Sequence, residues 1–403
     1  MSTGPRPAWA DPRRWRRTVV ICSGTSWDGA RLSDRHLAEQ LSADGPVLFV
    51  DPPMSLLTPY RRPEITRPDN WQGLSLVRDG LARLTPLAPP GVSRPGVRRL
   101  ALLASRRAMR RATTALGGDV EAVVVGSLDD LFGACGERTR VLWGTDDFAA
   151  AGALMGLSPR WLARREADQL RKADVVTAVS DELAQRWRAR GVEVEVVPNG
   201  CDTAHYADVD ETPRPTDVRL PGPVAVFIGH LSDRIDLDHL VAVADTGHSL
   251  LLVGPRQATF ELTRLDALLA RPNVQWVGPR PFEELPSYLG LATVGLTPYA
   301  DSRFNRASFP LKTLEYLAAG RPAVTTDLPS ARALGTPLVT IAHDPADFAA
   351  HVRRLLEQGP GPGFADRARA YAAQHDWSAR AGDLARLIGT DDRVDSHGPG
   401  GAG

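Results

Sequence analysis

Lysine is nearly absent from this chain, although arginine is abundant. Only Lys172 and Lys312 are lysines among the 48 basic residues, and 48 acidic residues bring the formal net charge to zero. A neutral chain lacks the broad basic field of a typical nucleic-acid-binding protein. The preference for arginine, alanine, glycine and proline indicates the compositional bias of a GC-rich genome. A lysine that persists against this bias therefore needs a specific explanation.

Cysteines and long apolar runs are scarce as well. Cys22, Cys135 and Cys201 are the three cysteines of the chain, and their wide spacing matches neither a metal site nor a disulfide framework, so we expect a cytoplasmic protein without a metal. No apolar run approaches the ~18–20 residues that a membrane-spanning helix needs. The N-terminal stretch MSTGPRPAWADPRRWRR carries charge without an apolar segment, so we do not expect a secretory signal.

Short valine-rich runs alternate with helical patterns in the first half of the chain. Strands are predicted at Thr18–Cys22, Val47–Val50, Ala122–Val125, Val141–Trp143, Val175–Val179 and Val194–Val197. Helices are predicted at Ser33–Leu41, Pro159–Lys172 and Asp181–Arg190. This alternation predicts βαβ units and a doubly wound parallel sheet.

The same alternation begins again after the proline-rich stretch ADVDETPRPTDVRLPGP. Strands are predicted at Val224–Ile228, Ser249–Val253, Val274–Trp276, Val294–Thr297, Ala323–Thr325 and Leu338–Thr340. Helices are predicted at Asp238–Ala244, Glu261–Ala270, Phe282–Leu289, Pro310–Ala319 and Pro345–Glu357. The chain is therefore expected to hold two α/β domains of similar size.

The domain boundaries follow from these patterns. We expect a flexible arm over 1–17, a first domain over 18–205, a linker over 206–223 and a second domain over 224–375. A C-terminal helix over 376–389 could cross back to the first domain, and the polar, glycine-rich residues 390–403 are expected to form a disordered tail.

The stretch SFPLKTLEYLAAGRPAVTT contains one of the two lysines. Ser308 is a candidate N-cap, Pro310 suits the first helical turn, and Gly320 suits the position just past the helix end. Lys312 then lies in the first turn, where the helix dipole disfavours a cation unless an anion binds there. Because ligands of open α/β sheets bind at the carboxyl ends of the strands, a diphosphate is a natural anion for this position.

An alternative explanation of Lys312 is a surface ion pair with Glu315, three residues later. An arginine would serve in such a pair equally well, which favours phosphate contact by a compact ammonium group. On this view, replacing Lys312 by alanine should leave the melting temperature unchanged or slightly raised, since a cation leaves the positive end of a helix dipole.

Polar groups also follow strands of the first domain. Gly24, in the loop SGTSWDGA, could bring backbone N–H groups to a phosphate or a sugar, although a plain tight turn would also use glycine. Asp146 and Asp147 follow the strand Val141–Trp143, where one of them could bind acceptor hydroxyls or act as a base. The alternative for these two residues is an Asx turn or a helix cap.

A basic helix is predicted over Arg94–Gly118, with seven arginines between Arg94 and Arg111. Its modest apolar stripe consists of Val97, Ala101, Ala104 and Ala108. Such a helix could lie on an anionic membrane, and the alternative is a solvated face.

Four segments in the right order resemble the GT-B glycosyltransferases of the glycosyltransferase 4 type. They are PLKTLEYLAAGRPAVTT, VVTAVSDELAQRW with VVPNGCD, VQWVGPRPFEELPSYLGLATVGLTPY, and ICSGTSWDGARLSDRHLAEQLSADGPVLFVDPP. The last is similar to a subgroup that includes teichuronic acid biosynthesis glycosyltransferases. The resemblance extends from about Thr18 to Leu387.

This resemblance implies two Rossmann-like, doubly wound domains that face each other across a cleft. It implies transfer of a sugar from a nucleotide diphosphate sugar, with a UDP-sugar favoured, to a carbohydrate, lipid-linked or small-molecule acceptor. Such transfer usually retains the anomeric configuration and needs no metal or other cofactor. The implied role is in cell-envelope polysaccharide or natural-product glycosylation, in the cytoplasm or at the inner face of the membrane.

Glu315 matches the second glutamate of the family's E-x7-E element, which binds the ribose hydroxyls. The first glutamate would fall at Ala307, and the family's arginine and lysine after the first strand of this domain would fall near His230 and Ile235. Lys312, Arg234 and Arg256 are the candidates to replace that cationic pair. Other expected donor-site residues are Gly229, His230, Arg280, Pro310 and Leu311.

Two other functions remain open at this point. A nucleotide-sugar epimerase on the same architecture would use the donor site without an acceptor. A catalytically decayed partner protein would explain Ala307 and the missing cationic pair.

Overall fold

Two sheets organise the chain, one in each of two units. The computed structural model describes residues 11–55, 73–91, 94–152 and 157–390. Unit 1 comprises Met1–Val179, Ala184–Val197 and Arg380–Gly403, and unit 2 comprises Ser180–Leu183 and Pro198–Ala379.

Unit 1 is built on an eight-stranded sheet with the strand order β10-β9-β8-β7-β1-β2-β5-β4. Its strands are β1 (Thr18–Cys22), β2 (Val47–Val50), β4 (Leu74–Arg78), β5 (Leu81–Leu84), β7 (Val120–Val125), β8 (Thr139–Gly144), β9 (Val175–Ala178) and β10 (Glu195–Val196). A separate two-stranded sheet pairs β3 (Met54–Ser55) with β6 (Leu87–Ala88). All neighbours in the large sheet are parallel except the β4–β5 hairpin.

The helices of unit 1 cover this sheet. They include α1 (Ser33–Asp44), α2 (Pro95–Ala115) and α3 (Pro159–Lys172), while α4 (Asp181–Arg188) begins among the residues of unit 2 and ends in unit 1. The fully buried β1 carries Val19 and Ile21 into a core with Leu37 of α1. Ala381 and Leu384 of the last helix, α13 (Trp377–Leu387), pack in the same core.

Unit 2 is built on a six-stranded, wholly parallel sheet with the order β13-β12-β11-β14-β15-β16. Its strands are β11 (Val224–Ile228), β12 (Ser249–Val253), β13 (Val274–Trp276), β14 (Ala292–Thr297), β15 (Ala323–Thr326) and β16 (Val339–Ala342). From β11, the strands β12 and β13 follow toward one edge of the sheet. From β14, next to β11, the strands β15 and β16 follow toward the other edge. The strand order therefore reverses between β11 and β14, where α/β proteins bind their ligands.

Helices separate these strands and pack on both faces of the sheet. They are α5 (Leu237–Asp245), α6 (Leu262–Leu269), α7 (Leu285–Gly290), α8 (Arg303–Ala307), α9 (Leu311–Ala318), α10 (Pro329–Ala333), α11 (Pro345–Gln358) and α12 (Phe364–Ala373). Alternate residues of β11 point to opposite faces, so that Val226 joins one core cluster and Phe227 the other. Both faces being covered explains the continuous apolar strands.

Every strand predicted from the sequence is present, and its ends differ from the prediction by at most two residues. The predicted cap of α9 is wrong: Pro310 occupies that position, and Ser308 instead ends α8 and donates its hydroxyl to Phe304 O. Gly320 has the positive φ of 72° expected just past a helix end.

Two expected boundaries need correction. Part of the flexible arm is packed, because Trp15 is 2% exposed and Arg17 pairs with Glu121. The expected linker is also part of unit 2, since Tyr206 and Val209 are buried in its core. Residues 1–10 and 391–403, which hold the rest of the arm and nearly all of the expected tail, lie outside the described residues.

The basic helix α2 turns a different face inward from the one predicted. Its buried residues are Ala101, Ser105, Met109, Ala112 and Thr113. Of these five buried residues, only Ala101 belongs to the apolar stripe that the sequence predicted. Within the described parts of the chain, no helix is both long enough and apolar enough to cross a membrane.

Candidate active site

The helix α9 is fixed to the sheet of unit 2 by Tyr316, at the point where β11 and β14 part. Their pairing ends at Val226 and Gly295. Beyond it, the hydroxyl of Tyr316 accepts from Ile228 N at 3.0 Å and donates to Leu296 O at 3.1 Å. Gly295 makes room for this ring, because a side chain there would collide with it. Tyr316 thus holds α9 at the reversal of strand order.

Three loops meet at the carboxyl ends of β11, β12 and β14. The loop after β11 is joined to the loop after β12 by two backbone bonds of Leu231. Its N–H donates to Pro255 O, and its C=O accepts from Gln257 N, each at 2.9 Å. It is joined to the loop after β14 by the bond from Ala300 N to Arg234 O, also 2.9 Å. These backbone bonds bring the segments expected to bind the donor into one layer above the sheet.

Asn305 of α8 organises this layer. Its side chain is 2% exposed, donates to Arg234 O and Ala300 O, and accepts from Arg234 Nε at 3.1 Å. The guanidinium of Arg234 also lies over the ring of Phe304, 4.8 Å from its centroid. Arg234 is therefore held in place by a neutral amide and an aromatic ring rather than by a carboxylate.

Arg234 differs from the other two candidate cations in that, among the described residues, it forms no ion pair with a carboxylate. Lys312 Nζ lies 2.7 Å from Glu315 Oε2, and Arg256 Nη1 lies 2.7 Å from Asp266 Oδ1. Across residues 11–55, 73–91, 94–152 and 157–390, no carboxylate forms a salt bridge with Arg234. Desolvation and the positive charge of Arg234 lower the pKa of His230, which lies in the same loop. Arg234 is thus the cation whose charge is most available to an anion.

The pair of Lys312 and Glu315 lies on α9 and is largely buried. Their side chains are 24% and 7% exposed. Burial, followed by the charge of Glu315, raises the pKa of Cys201 and that of Tyr206 well above their usual values. The ion pair that the sequence offered as an alternative is therefore a real contact, but it lies in a protected position, near the buried Cys201 and Tyr206.

The other expected donor residues fall in different environments. Gly229 continues the β11 ladder through its N–H to Val253 O. Pro310 and Leu311 form the start of α9, beside Lys312. Arg280 is committed elsewhere, since its guanidinium bonds the Tyr288 hydroxyl and the Asp217 carboxylate.

The two aspartates after β8 have unequal environments in unit 1. Asp147 is 1% exposed, forms an ion pair with Arg186 at 2.9 Å, and accepts from Ala150 N at 2.9 Å. Its carboxylate therefore accepts within the turn, as in the Asx-turn alternative, and also forms an ion pair that the sequence did not suggest. Asp146 is only half-buried, which leaves it the better placed of the two to meet a ligand.

A carboxyl group that the sequence did not single out lies nearby. Asp34 of α1 accepts from Ser23 Oγ at 2.9 Å and from Gly24 N at 3.3 Å. A Cβ at Gly126 would lie 2.7 Å from Asp34 Oδ1, so a side chain there would displace this carboxylate. Burial raises the pKa of Asp34 to about 6, against the opposing effect of its bond from Ser23. The N–H of Gly24 is thus directed to Asp34.

Together, the groups in unit 2 suit an anion and a diol. A fixed guanidinium and a helix start can bind a diphosphate, and a carboxylate can accept hydrogen bonds from two vicinal hydroxyls. In the described parts of the chain, no cluster of three or more histidine, cysteine or acidic residues is placed to hold a metal ion.

Comparison with solved structures identifies the fold. Sucrose-phosphate synthase of Thermosynechococcus elongatus aligns with a TM-score of 0.73 and 17% identity, over 94% of this chain and 100% of that one. HepE of Anabaena, solved with UDP and glucose, aligns with a TM-score of 0.62 and 15% identity, over 92% and 99%. The chain has the GT-B fold of these glycosyltransferases.

Sequence comparison then gives the family. Residues 222–358 match the family described as glycosyl transferases group 1. TuaH of Bacillus subtilis, whose name assigns it to teichuronic acid biosynthesis as a glycosyltransferase, is 29% identical over 258 residues. That match spans 62% of this chain and 65% of TuaH's own length.

Proposed function

We propose that the protein transfers a sugar from a nucleotide diphosphate sugar, with a UDP-sugar favoured, to an acceptor. The observation that carries this proposal is Arg234, a guanidinium fixed by Asn305 and without a carboxylate partner among the described residues. It lies at the carboxyl ends of the strands where their order reverses. The match of residues 222–358 to the glycosyl transferases group 1 family and the UDP bound to HepE support the same conclusion.

Each group has a role in this proposal. Arg234 and Lys312 bind the diphosphate, and Glu315 accepts hydrogen bonds from the ribose hydroxyls. A carboxylate close to a diphosphate would normally repel it, but the ammonium of Lys312 lies 2.7 Å from Glu315 and offsets that repulsion. The methyl side chain of Ala307 cannot form a hydrogen bond, so other residues must bind the transferred sugar.

The chemistry follows from stabilising the leaving group. As the bond from the sugar to the diphosphate breaks, negative charge develops on the nucleotide, and prearranged cations lower the energy of that state. The acceptor hydroxyl then bonds to the anomeric carbon and loses its proton. The resemblance to retaining enzymes favours departure of this proton to the leaving phosphate, with retention of configuration and no metal.

The activity is tested by incubating the purified protein with a panel of UDP-, GDP- and ADP-sugars, with and without candidate acceptors. We expect nucleotide release from one donor class, accelerated by an acceptor and preserved in EDTA. Glu315→Gln should weaken donor binding about 10- to 100-fold, as expected for loss of a hydrogen bond to a charged group. Loss of activity in EDTA that Mg²⁺ or Mn²⁺ restores would contradict the metal-independent mechanism.

The same incubation separates the two alternatives. An epimerase would convert the donor sugar without an acceptor and without net transfer to another molecule. A decayed partner protein would leave every donor intact, even where the nucleotide binds.

We further propose that α2 contacts an anionic membrane through its outward face. Leu100 and Leu103 are 58% and 56% exposed there, and Arg99 and Arg107 are exposed on the same face. Exposed apolar residues can insert among lipid chains, and the neighbouring arginines can bind anionic headgroups. The alternative remains a solvated face.

Flotation with vesicles tests this contact. Binding to vesicles that contain phosphatidylglycerol, little binding to pure phosphatidylcholine, and loss of binding in Leu100→Ser/Leu103→Ser support it. Equal behaviour of the variant and the wild type would favour the solvated face. The location at the inner face of the membrane depends on this result.

A further inference from the structure

A cavity of about 300 Å³ opens in unit 1, and its walls are mostly apolar. It lies beyond the carboxyl ends of β1 and β2, against the inward side of α2. Ala101 and Leu102 of α2, Val50 of β2 and Leu131 supply apolar surface. Its volume is at the lower end of the range for small-molecule sites.

The polar end of the cavity presents hydrogen-bond acceptors. Ser105 donates its proton to Ala101 O at 3.0 Å, and a carbonyl can only accept. Ser23 donates to the carboxylate of Asp34 at 2.9 Å, accepts from Thr25 N at 3.0 Å and lies 3.4 Å from Thr25 Oγ1. Ser105 is therefore the serine whose oxygen has committed its proton and retains lone pairs. A ligand at this end must bring donors, such as sugar hydroxyls.

The charges around the cavity do not favour an anionic ligand. Asp51 is 3% exposed and accepts from Trp27 N, Arg83 Nε and Thr85 Oγ1. Arg98, the cation among the described lining residues, is paired with Asp129 at 2.9 Å. Among these described residues, no positive charge is thus available to a phosphate.

We infer that this cavity binds a neutral amphipathic molecule, with a hydroxyl group at Ser105 and an apolar group against Ala101, Leu102 and Leu131. This inference rests on the proposed function, under which the bound molecule is the sugar acceptor. The acceptor class is then a glycoside or alcohol with an apolar substituent next to the reacting sugar, rather than a sugar phosphate.

The test compares methyl glucoside, butyl glucoside and glucose 6-phosphate by calorimetry on the full chain. Three added methylenes should raise affinity about 10- to 50-fold from the methyl to the butyl glucoside. Glucose 6-phosphate should bind no better than methyl glucoside.

Two variants of adjacent residues provide a matched control. Leu102→Trp fills the cavity and should reduce the butyl advantage to about threefold or less. Leu103→Trp adds the same bulk to the outward face of α2, where the side chain is 56% exposed, and should leave the advantage intact. Ser105→Ala should weaken both glucosides equally, because it removes an acceptor and leaves the apolar wall. Circular dichroism checks that each variant is folded.

The inference is overturned if the two glucosides bind equally, if neither binds, if glucose 6-phosphate binds best, or if Leu102→Trp and Leu103→Trp behave alike. UDP binding is measured in the same samples, because its proposed site lies in unit 2. Normal UDP binding with a failed glucoside test would refute the cavity assignment alone. Failure of UDP binding would instead refute the proposed function.

Discussion

Removing the ammonium of Lys312 should have two separable effects, one on stability and one on nucleotide binding. The sequence alone predicted an unchanged or slightly raised melting temperature for Lys312→Ala. The structure reverses this expectation, because Glu315 is only 7% exposed and would lose a partner at 2.7 Å. Breaking a fully buried pair costs about 3–5 kcal/mol. Since the Lys312 side chain is 24% exposed and water can partly replace it, we expect a loss of roughly 1–3 kcal/mol in the free energy of unfolding.

The effect on binding depends on the ligand. If Lys312 contacts the diphosphate, Lys312→Ala should weaken UDP by about 1.5–3 kcal/mol, which is about 10- to 150-fold, and change uridine little. The affinities are measured by calorimetry well below the melting temperature of the variant, so that unfolding does not contribute. Urea denaturation gives the free energy of unfolding.

A double-mutant cycle separates the two effects. Adding Glu315→Gln to Lys312→Ala removes the unpaired buried carboxylate, so most of the lost stability should return. UDP affinity should not return, because neither the ammonium nor the full carboxylate is restored. The reasoning is refuted if Lys312→Ala weakens UDP and uridine equally, or if the single variant is as stable as the wild type.

Three further predictions concern stability and reactivity. Because burial raises the pKa of Asp34 to about 6 from 3.8, the folded state holds this proton more tightly, and the group's contribution to the free energy of unfolding should fall by about 2 kcal/mol as the pH rises from 4 to 6. Urea denaturation of Asp34→Asn should lack this fall, and parallel pH profiles for variant and wild type would count against it. Burial raises the pKa of Cys22, Cys135 and Cys201, so iodoacetamide at pH 8 should label none of them before unfolding. Tyr316→Phe should cost about 1–3 kcal/mol by leaving buried Ile228 N without its partner, and a loss below about 0.5 kcal/mol would disprove that role.

Much of the fold was predictable because buried parallel strands leave a strong local signal. The continuous apolar run of β11, for example, needs no knowledge of its neighbours to be recognised. The β4–β5 hairpin was missed, although Asp79-Gly80 is a turn signal and Gly80 has a φ of 75°. Its edge strand has exposed Leu76 and Val77, so it lacks the regular alternation of a half-buried strand.

The candidate site was only partly predictable, because its organising contacts connect distant parts of the chain. The sequence singled out Lys312, Glu315 and Arg234 from their positions relative to strands and helix starts. It could not reveal that Asn305 would fix Arg234 across 71 residues, or that Tyr316 would bond to Ile228 across 88. Nor could it show that Arg280 is committed to Asp217, since that contact depends on how the loops fold back.

The most direct test of the central claim is a calorimetric titration of UDP into the wild type, Arg234→Gln and Arg256→Gln. Both arginines follow neighbouring strands of unit 2, but Arg256 is paired with Asp266 and Arg234 is fixed by the neutral Asn305. We predict that the wild type binds UDP, that Arg234→Gln weakens UDP binding at least about tenfold, and that Arg256→Gln changes UDP binding little. Absence of UDP binding by the wild type, or an equal effect of the two substitutions, would contradict this prediction.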